Sequence, residues 1–197
     1  MNEVVGLLLA AGFSRRYGAP KLVELMSPDT LMAELSCRNL MQGTDRVIAV
    51  VRPEQHELAQ ALMKTGADVR SFEEAHRGMG ATLSFAVRSA PSADGWLIAL
   101  ADMPLIKAST IRKITESLRS GSSLVMPAYR GQRGHPVGFN RTHYPALIQL
   151  EGDRGARSII VGHADATTLI SVDDAGILQD IDTPDDLIRH KNTIART

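Results

Sequence analysis

Leu7–Lys21 reads LLLAAGFSRRYGAPK, an apolar run that opens directly into a glycine-containing basic segment. The apolar run begins at Val4, and a strand that is buried on both faces has such a continuous run, so a strand is predicted at Val4–Leu9. Gly12 and Gly18 permit backbone torsions that other residues resist. The stretch therefore predicts a buried strand that ends in a flexible cationic loop, and such a loop is suited to wrapping phosphate.

Short apolar runs alternate with segments of helical spacing after this loop. Further strands are predicted at Arg46–Val51, Asp68–Phe72, Trp96–Leu100, Leu124–Pro127, Pro136–Phe139 and Thr168–Val172. Helices are predicted at Leu31–Leu40, from Pro53, from Leu83, at Ser109–Leu118, Thr142–Leu150 and Gly155–Val161, and from Pro184 behind a Thr183 cap. This alternation predicts a three-layer α/β/α fold with a mostly parallel sheet. In such a sheet ligands lie beyond the carboxyl ends of the strands, where Gly12, Asp102 and Asp182 are expected to meet.

The composition argues against a charged macromolecular partner. The 22 basic and 22 acidic residues balance, so no net charge attracts nucleic acid or an anionic membrane surface. The 197 residues fit one domain, which we take as residues 1–197. The single cysteine, Cys37, cannot form an internal disulfide, no signal-peptide pattern opens the sequence, and no apolar run approaches the roughly 20 residues that cross a bilayer. We therefore expect a cytoplasmic protein.

Two familiar nucleotide-binding loops do not match the Gly12–Lys21 segment. A P-loop requires G-x-x-x-x-G-K-[ST], whereas five residues separate Gly12 from Gly18 and Leu22 follows Lys21. A dinucleotide fingerprint requires G-x-G-x-x-G after the first strand, but Gly12 stands alone until Gly18. A P-loop NTPase and a nicotinamide-dependent dehydrogenase are therefore disfavoured.

A different loop pattern, L-A-A-G-x-S-x-R-x-G-x-x-K, does fit this segment. Its positions are Leu9, Ala10, Ala11, Gly12, Ser14, Arg16, Gly18 and Lys21. It resembles the signature loop of the MobA-like nucleotidyltransferases, which include the molybdenum-cofactor guanylyl- and cytidylyltransferases. The resemblance continues through RGMGATL at Arg77–Leu83, LADMP at Leu100–Pro104, RGHPVGF at Arg133–Phe139, GDRGAR at Gly152–Arg157 and DIDTPDD at Asp180–Asp186. It implies a Rossmann-like sheet of the nucleotide-diphospho-sugar transferase type.

The resemblance also implies a reaction. RGHPV and GDRGAR are similar to the molybdopterin cytidylyltransferase branch, which transfers CMP from CTP to molybdopterin or its molybdenum-loaded form and releases pyrophosphate. The guanylyl branch usually has a second glycine where Ala11 stands, so CTP is favoured over GTP or another nucleoside triphosphate. A molybdoenzyme or its chaperone is a possible partner. The rival interpretations are transfer to another small phosphorylated acceptor and a non-catalytic module that holds the finished cofactor.

The nucleotide site is predicted from the loop and from a second glycine-rich segment. Arg16 offers a planar fork and Lys21 a point charge for the triphosphate, and unpaired backbone N–H groups near Gly80 and Thr82 offer another contact at a helix N-terminus. The predicted nucleotide-binding set is Leu9, Ala10, Ala11, Gly12, Ser14, Arg16, Gly18, Lys21, Gly80 and Thr82, and the predicted catalytic set is Arg16, Lys21 and Asp102. The alternative is that the basic residues of the loop are solvated surface charges.

Two carboxylates are candidates for a Mg²⁺ site. Asp102 ends a buried strand, where a carboxylate is costly without a cation or donors nearby. Asp182 lies in a motif that resembles the second metal ligand of related cytidylyltransferases, and two carboxylates with triphosphate oxygens and water suit octahedral Mg²⁺. The alternatives are a turn residue for Asp102 and a helix-cap partner for Asp182. The histidines and Cys37 have no spacing typical of structural zinc.

Three residues are candidates for binding the acceptor. His135 lies in the RGHPV loop, where it can donate to a phosphate or a pterin, although a lone histidine is usually structural. Arg154 and Arg157 flank Gly155 near a predicted helix start and can clamp a phosphate through paired hydrogen bonds. The alternative for both arginines is a solvated helix surface.

Overall fold

The central feature of the fold is a sheet built from strands along most of the chain. The computed structural model describes residues 2–14 and 17–194. Its strands are β1 Val4–Leu9, β2 Leu25–Ser27, β3 Thr30–Leu31, β4 Arg46–Val51, β5 Asp68–Ser71, β6 Gly95–Leu100, β7 Leu124–Tyr129, β8 Gln132–Arg133, β9 Val137–Asn140 and β10 Thr167–Ser171. Its α-helices are α1 Met32–Met41, α2 His56–Lys64, α3 Met79–Arg88, α4 Ala108–Arg119, α5 Tyr144–Leu147, α6 Arg157–Gly162 and α7 Pro184–Ile194.

The topology is mostly parallel, as the alternation of strands and helices predicts. The strand order is β10-β7-β9-β6-β1-β4-β5, with β8 on β7, and β2 and β3 form a separate hairpin. β1 lies between β4 and β6 and is parallel to both, whereas β9 is antiparallel to its neighbours β6 and β7. Because β1 and β6 are in register from Val4 to Leu9, both strands end at the same edge of the sheet.

Helices cover both faces of this sheet and bury an apolar layer on each. On one face Leu40 of α1, Leu62 of α2 and Ile114 of α4 pack on β1, β4 and β6. On the other face the buried side chains are Leu83 of α3, Leu147 of α5 and Ile159 of α6. The three-layer α/β/α prediction is therefore confirmed.

The predicted elements are present with two clear departures. The helix predicted at Thr142–Leu150 is a 3₁₀ turn, Arg141–His143, followed by the short α5, Tyr144–Leu147. The second departure lies after β4. The helix expected from Pro53 begins at His56, and Pro53 lies in the turn before it. Arg52 and Gln55, on either side of this turn, form hydrogen bonds to the loop after β1. The last helix begins at Pro184, as predicted. Within the described residues, no helix is both long and apolar enough to cross a membrane.

Candidate active site

The loop after β1 leaves the sheet at Ala10, whose N–H still donates to the carbonyl of Val50 at 2.9 Å. It then turns at Ser14, which has a positive φ of 48°, an uncommon value for a residue with a side chain. The N–H groups of Tyr17 and Gly18 both donate to the Ser14 carbonyl, and Gly18 has a φ of 77°. The glycine at position 18 therefore meets a conformational need, as the sequence predicts.

Lys21 follows this loop in a short 3₁₀ turn, Lys21–Val23, and its side chain is buried. Its ammonium donates to Asp102 Oδ2 at 2.8 Å and to Asp182 Oδ1 at 2.7 Å. Burial by itself would lower the pKa of Lys21, but the carboxylates of Asp102 and Asp182 outweigh it and raise the pKa above its ordinary value. Lys21 is therefore a fixed positive charge between two carboxylates, which contradicts its interpretation as a solvated surface charge.

Asp102 owes its position to the alignment of β1 with β6. Leu9 and Leu100 are paired as the last residues of the two strands, and the N–H of Ala101 donates to the Leu9 carbonyl at 3.2 Å. Asp102 Oδ2 bonds to Lys21, whereas Oδ1 is buried and has no hydrogen-bond partner within residues 2–14 and 17–194. A buried carboxylate oxygen without a donor is costly, so a cation is the expected partner.

Asp182 is brought to the same place by the chain that precedes α7. The N–H of Ile181 donates to the carbonyl of Asp102 at 3.0 Å, which ties the two segments together. Thr183 and Asp186, not Asp182, cap α7. Thr183 N donates to Asp186 Oδ2 at 2.9 Å, and Asp186 N donates to Thr183 Oγ1 at 3.2 Å. Asp182 Oδ1 is thus directed to Lys21, and the capping role falls to Thr183 and Asp186 rather than to the Asp182 side chain.

The two aspartates fit a divalent metal that other ligands complete. Their side chains are 24% and 21% exposed, so both can be reached from the cavity. Within the described part of the chain no group of three or more His, Cys, Asp or Glu side chains is arranged to hold a metal. A hard cation held by Asp102, Asp182, triphosphate oxygens and water agrees with this sparse set of oxygen donors.

A cavity of about 400 Å³ lies over these residues. It is lined by Leu9, Ala11, Gly12, Phe13, Ser14, Tyr17, Lys21, Ala75, His76, Gly78, Met79, Thr82, Leu100, Asp102, Asp153 and Asp182. The structure therefore brings Gly12, Asp102 and Asp182 together, as the topology predicts. The same lining contains other predicted nucleotide-binding residues, Leu9, Ala11, Ser14, Lys21 and Thr82, whereas Ala10 and Gly18 are not part of it. Arg16, expected to hold the triphosphate, lies outside the described residues.

The glycines at the start of α3, Gly78 and Gly80, pack closely against the GDRGAR segment. Gly78 has a φ of 107°, and a Cβ there would lie 2.5 Å from Asp153 Oδ1. A Cβ at Gly80 would lie 2.6 Å from the carbonyl oxygen of Glu151. Gly80 is buried against this backbone and does not line the cavity, so the structure shows a close packing contact for it, and its role as a nucleotide contact stays a prediction. Both glycines hold the GDRGAR segment beside the cavity, and Asp153 reaches its lining.

The predicted acceptor residues are not gathered on the described wall of this cavity. His135 is half-buried, and its Nδ1 has no hydrogen-bond partner in the described ranges. Burial lowers the pKa of His135, and the negative charges of Asp102 and Asp180 oppose that shift. Arg154 and Arg157 are exposed on the GDRGAR segment.

Two residues that the sequence did not single out hold the loop after β1. Arg52 donates through one guanidinium nitrogen to the carbonyls of Ala11, at 3.0 Å, and Gly12. Gln55 Nε2 donates to the carbonyl of Ala10 at 3.2 Å. The available signal was the position of Arg52 directly after a strand that neighbours β1, at the edge where ligands are expected.

Comparison with known proteins agrees with this arrangement. Residues 6–167 match the family model described as the MobA-like NTP transferase domain. The chain is 30% identical to the purine catabolism protein PucB of Bacillus subtilis (strain 168), over 94% of this chain and 96% of that protein. It is 26% identical to the molybdenum cofactor cytidylyltransferase of Escherichia coli (strain K12), over 97% of each chain.

Solved structures give the same fold. Rv0371c from Mycobacterium tuberculosis H37Rv matches with a TM-score of 0.84 and 29% identity over 97% of this chain and 98% of that chain. Its complex with manganese matches with a TM-score of 0.80 and 27% identity over 97% and 99%. The sheet is that of the nucleotide-diphospho-sugar transferase fold, as the resemblance implies. The chain belongs to the MobA-like NTP transferase family and is a nucleotidyltransferase of that type.

Proposed function

We propose that this chain transfers CMP from CTP to molybdopterin, or to its molybdenum-loaded form, with release of pyrophosphate and with Mg²⁺ as the metal. The observation that carries the proposal is the Lys21 ammonium, 2.8 Å from Asp102 and 2.7 Å from Asp182, in a cavity that the loop after β1 also lines. The proposal treats residues 1–197 as one nucleotidyltransferase domain, which is supported by a sheet that draws strands from β1 to β10. A cytoplasmic location stays a prediction.

The reaction needs alignment more than activation. A phosphate oxygen of the acceptor forms a bond to the α-phosphorus of CTP, and the bond from that phosphorus to the β-phosphate oxygen breaks. A phosphate monoester with a second pKa of about 6 is largely dianionic near neutral pH, so the attacking oxygen needs no strong base. Lys21 and the N–H groups of the Gly12 loop would hold the triphosphate oxygens in line with the acceptor.

The metal supplies stabilisation of the charge on the phosphate oxygens when it is bound. Asp102 and Asp182 would hold it, and the buried Asp102 Oδ1, which lacks a donor in the described residues, supports this assignment. Nucleotidyltransferases of this family commonly use divalent metals, and the manganese complex of Rv0371c supports an ion of this kind here. Oxygen ligands favour Mg²⁺ or Mn²⁺ over softer metals.

The choice of CTP and of the pterin rests on similarity. The molybdenum cofactor cytidylyltransferase matches over nearly the whole chain, which supports a pyrimidine nucleotide and a molybdopterin acceptor. Arg154 and Arg157 are exposed on the GDRGAR segment, where their guanidinium groups could bind an acceptor phosphate. A molybdoenzyme or its chaperone, expected to receive the product, stays a prediction.

The experiment is pyrophosphate release with Mg²⁺, each nucleoside triphosphate in turn, and molybdopterin with and without molybdenum. We expect release that requires both CTP and the pterin. A preference for GTP, or no use of CTP with the pterin, would contradict the proposal. No release with any triphosphate, together with tight binding of the finished cofactor, would favour the non-catalytic module.

A second candidate is nucleotidyl transfer to another small phosphorylated acceptor. It is favoured by the similarity to PucB, described as a purine catabolism protein, over 94% of this chain. This reaction would use Lys21 and Asp102 in the same way and differ only at the acceptor. CTP consumption with sugar or isoprenoid phosphates, but none with the pterin, would select this candidate.

A further inference from the structure

Side chains from the turn between β4 and α2 donate hydrogen bonds to three successive backbone carbonyls of the loop after β1. Gln55 Nε2 donates to the carbonyl of Ala10 at 3.2 Å. Arg52 donates to the carbonyl of Ala11 at 3.0 Å and, through the same nitrogen, to that of Gly12. These donors all come from the turn between β4 and α2, so one short segment sets the orientation of the loop.

The Arg52 side chain is itself fixed on several sides. It is only 15% exposed, and its Nε donates to Glu54 Oε1 at 2.5 Å. Its guanidinium carbon lies 4.4 Å from the centre of the Phe13 ring. Its backbone N–H donates to Gln55 Oε1 at 2.7 Å, which links the two side chains that hold the loop. A guanidinium fixed in this way can impose its geometry on the carbonyls it binds.

The orientation of these carbonyls determines the direction of the adjacent N–H groups. In a planar trans peptide the N–H points opposite to the C=O. When Arg52 binds the carbonyls of Ala11 and Gly12, the N–H groups of Gly12 and Phe13 must therefore point away from Arg52. Successive N–H groups directed to one side form an anion-binding arrangement.

The loop after β1 separates two cavities, and this arrangement explains why the direction of its N–H groups matters. Gly12 and Phe13 line both the cavity over Lys21 and a second cavity of about 500 Å³ behind the loop. Among the described lining residues, Arg52 belongs only to the second cavity. The loop thus has a cavity on each side, and the hydrogen bonds from Arg52 and Gln55 hold its backbone in place.

We propose that Arg52 is a positioning residue that holds the Gly12 and Phe13 N–H groups towards the triphosphate through its hydrogen bonds to the Ala11 and Gly12 carbonyls. This inference rests on the proposed use of a nucleoside triphosphate and adds a residue to that site. Arg52 acts through the backbone and does not touch the substrate. Lysine can replace it only in part, because an ammonium lacks the planar guanidinium that fits between these carbonyls, Glu54 and Phe13.

The test compares Arg52→Met and Arg52→Lys with the matched control Arg70→Met. Arg70 is an exposed arginine, 51% accessible, that pairs with Asp68 on the adjacent strand β5. We expect Arg52→Met to raise the KM for CTP about tenfold while the KM for the acceptor stays within about twofold, and Arg52→Lys to lie between the Met variant and the parent. A general loss of structure would instead change both constants or lower kcat alone.

Hydrogen exchange provides a readout without substrate. In Arg52→Met the amides of residues 10–14 should exchange about tenfold faster than in the parent, while those of β6 should be unchanged. A CTP KM within about twofold of the parent, or unchanged exchange in residues 10–14, would overturn the inference and leave the proposed function standing. If the parent binds no triphosphate, the proposed function fails together with the substrate role of Arg52, and the exchange data still decide whether Arg52 orders the loop.

Discussion

The ammonium of Lys21 lies 2.7 Å from the carboxylate of Asp182, although 161 positions separate the two residues. The same ammonium lies 2.8 Å from Asp102. One lysine thus joins the loop after β1, the end of β6 and the segment before α7. The position of the positive charge depends on both carboxylates, so changes at any of the three residues are expected to affect the others.

The metal role of Asp102 is tested by Asp102→Asn. The amide keeps the shape of the side chain but removes the negative charge that a cation needs. We expect kcat for pyrophosphate release to fall about 1000-fold, equivalent to about 4 kcal/mol, while nucleotide binding remains detectable by calorimetry. The exposed Asp165 supplies the control, and Asp165→Asn should behave as the parent. Unchanged turnover in Asp102→Asn would refute the metal role.

The contribution of the Lys21 ammonium, which lies between Asp102 and Asp182, to stability is tested by Lys21→Met. We expect the free energy of unfolding to fall by about 2 kcal/mol, because Asp102 and Asp182 lose a buried donor. The pKa of Lys21 is raised in the folded protein, so its contribution is fully present below the unfolded value of about 10.4 and is lost as the pH rises through the folded value.

Urea unfolding at about pH 7.5 and about pH 11 measures this contribution. The difference between the parent and Lys21→Met should be large at the lower pH and smaller at the higher one. Lys64, exposed near the end of α2, is the control position, and Lys64→Met should leave the midpoint nearly unchanged. A difference that grows with pH would contradict the ion-pair assignment.

The close packing of the GDRGAR segment is tested by Gly80→Ala. The new Cβ would lie 2.6 Å from the Glu151 carbonyl oxygen, so the segment must move. We expect a loss of about 1–3 kcal/mol in unfolding free energy and a higher KM for the acceptor. Gly162→Ala is the matched control, because the Cβ that alanine adds there meets no described neighbour within 4 Å. Equal unfolding free energies of the two variants would show that the close contact at Gly80 does not affect stability.

The acceptor role of the exposed arginines is tested by Arg154→Gln and Arg157→Gln. If each guanidinium binds an acceptor phosphate, the KM for the acceptor should rise about tenfold per substitution, with the KM for CTP nearly unchanged. Arg112, exposed on α4, is the control for loss of one positive charge. Equal effects of Arg112→Gln and Arg157→Gln on the acceptor KM would indicate a general electrostatic effect instead of a binding site.

Acid sensitivity should depend in part on His143, which is buried and has no partner for Nε2 in the described residues. Burial, and then the neighbouring His163, lowers the pKa of His143 below its ordinary value of about 6.5. The unfolded chain therefore takes up the proton first, so stability falls as the pH drops below about 6.5. His143→Phe should reduce this pH slope, by at most about 1.4 kcal/mol per pH unit for one proton.

Unfolding midpoints between about pH 7.5 and about pH 5 measure that slope. His56 is exposed at the start of α2, so His56→Phe is the control and should leave the slope unchanged. An identical slope in the parent and His143→Phe would contradict the assignment.

Local pattern was sufficient for the elements and for part of the site. The apolar run at Val4–Leu9 and the capping residues Thr183 and Pro184 indicate a strand and a helix start that the structure contains. The meeting of Gly12 with Asp102 followed from parallel topology, because strands in register end together. The close contact of Gly80 with Glu151 was not predicted, because a glycine at a helix start serves an anion or a close backbone contact equally well.

The sequence by itself determined the order of the main strands and helices, the family and the loop proposed to bind the triphosphate, because periodicity and short motifs are properties of neighbouring residues. Only the tertiary structure decided that Lys21 binds both aspartates and that Arg52 supports the loop. These contacts join residues 161, 81 and 41 positions apart. Their geometry depends on strand order and register, which bring distant polar side chains to one edge of the sheet.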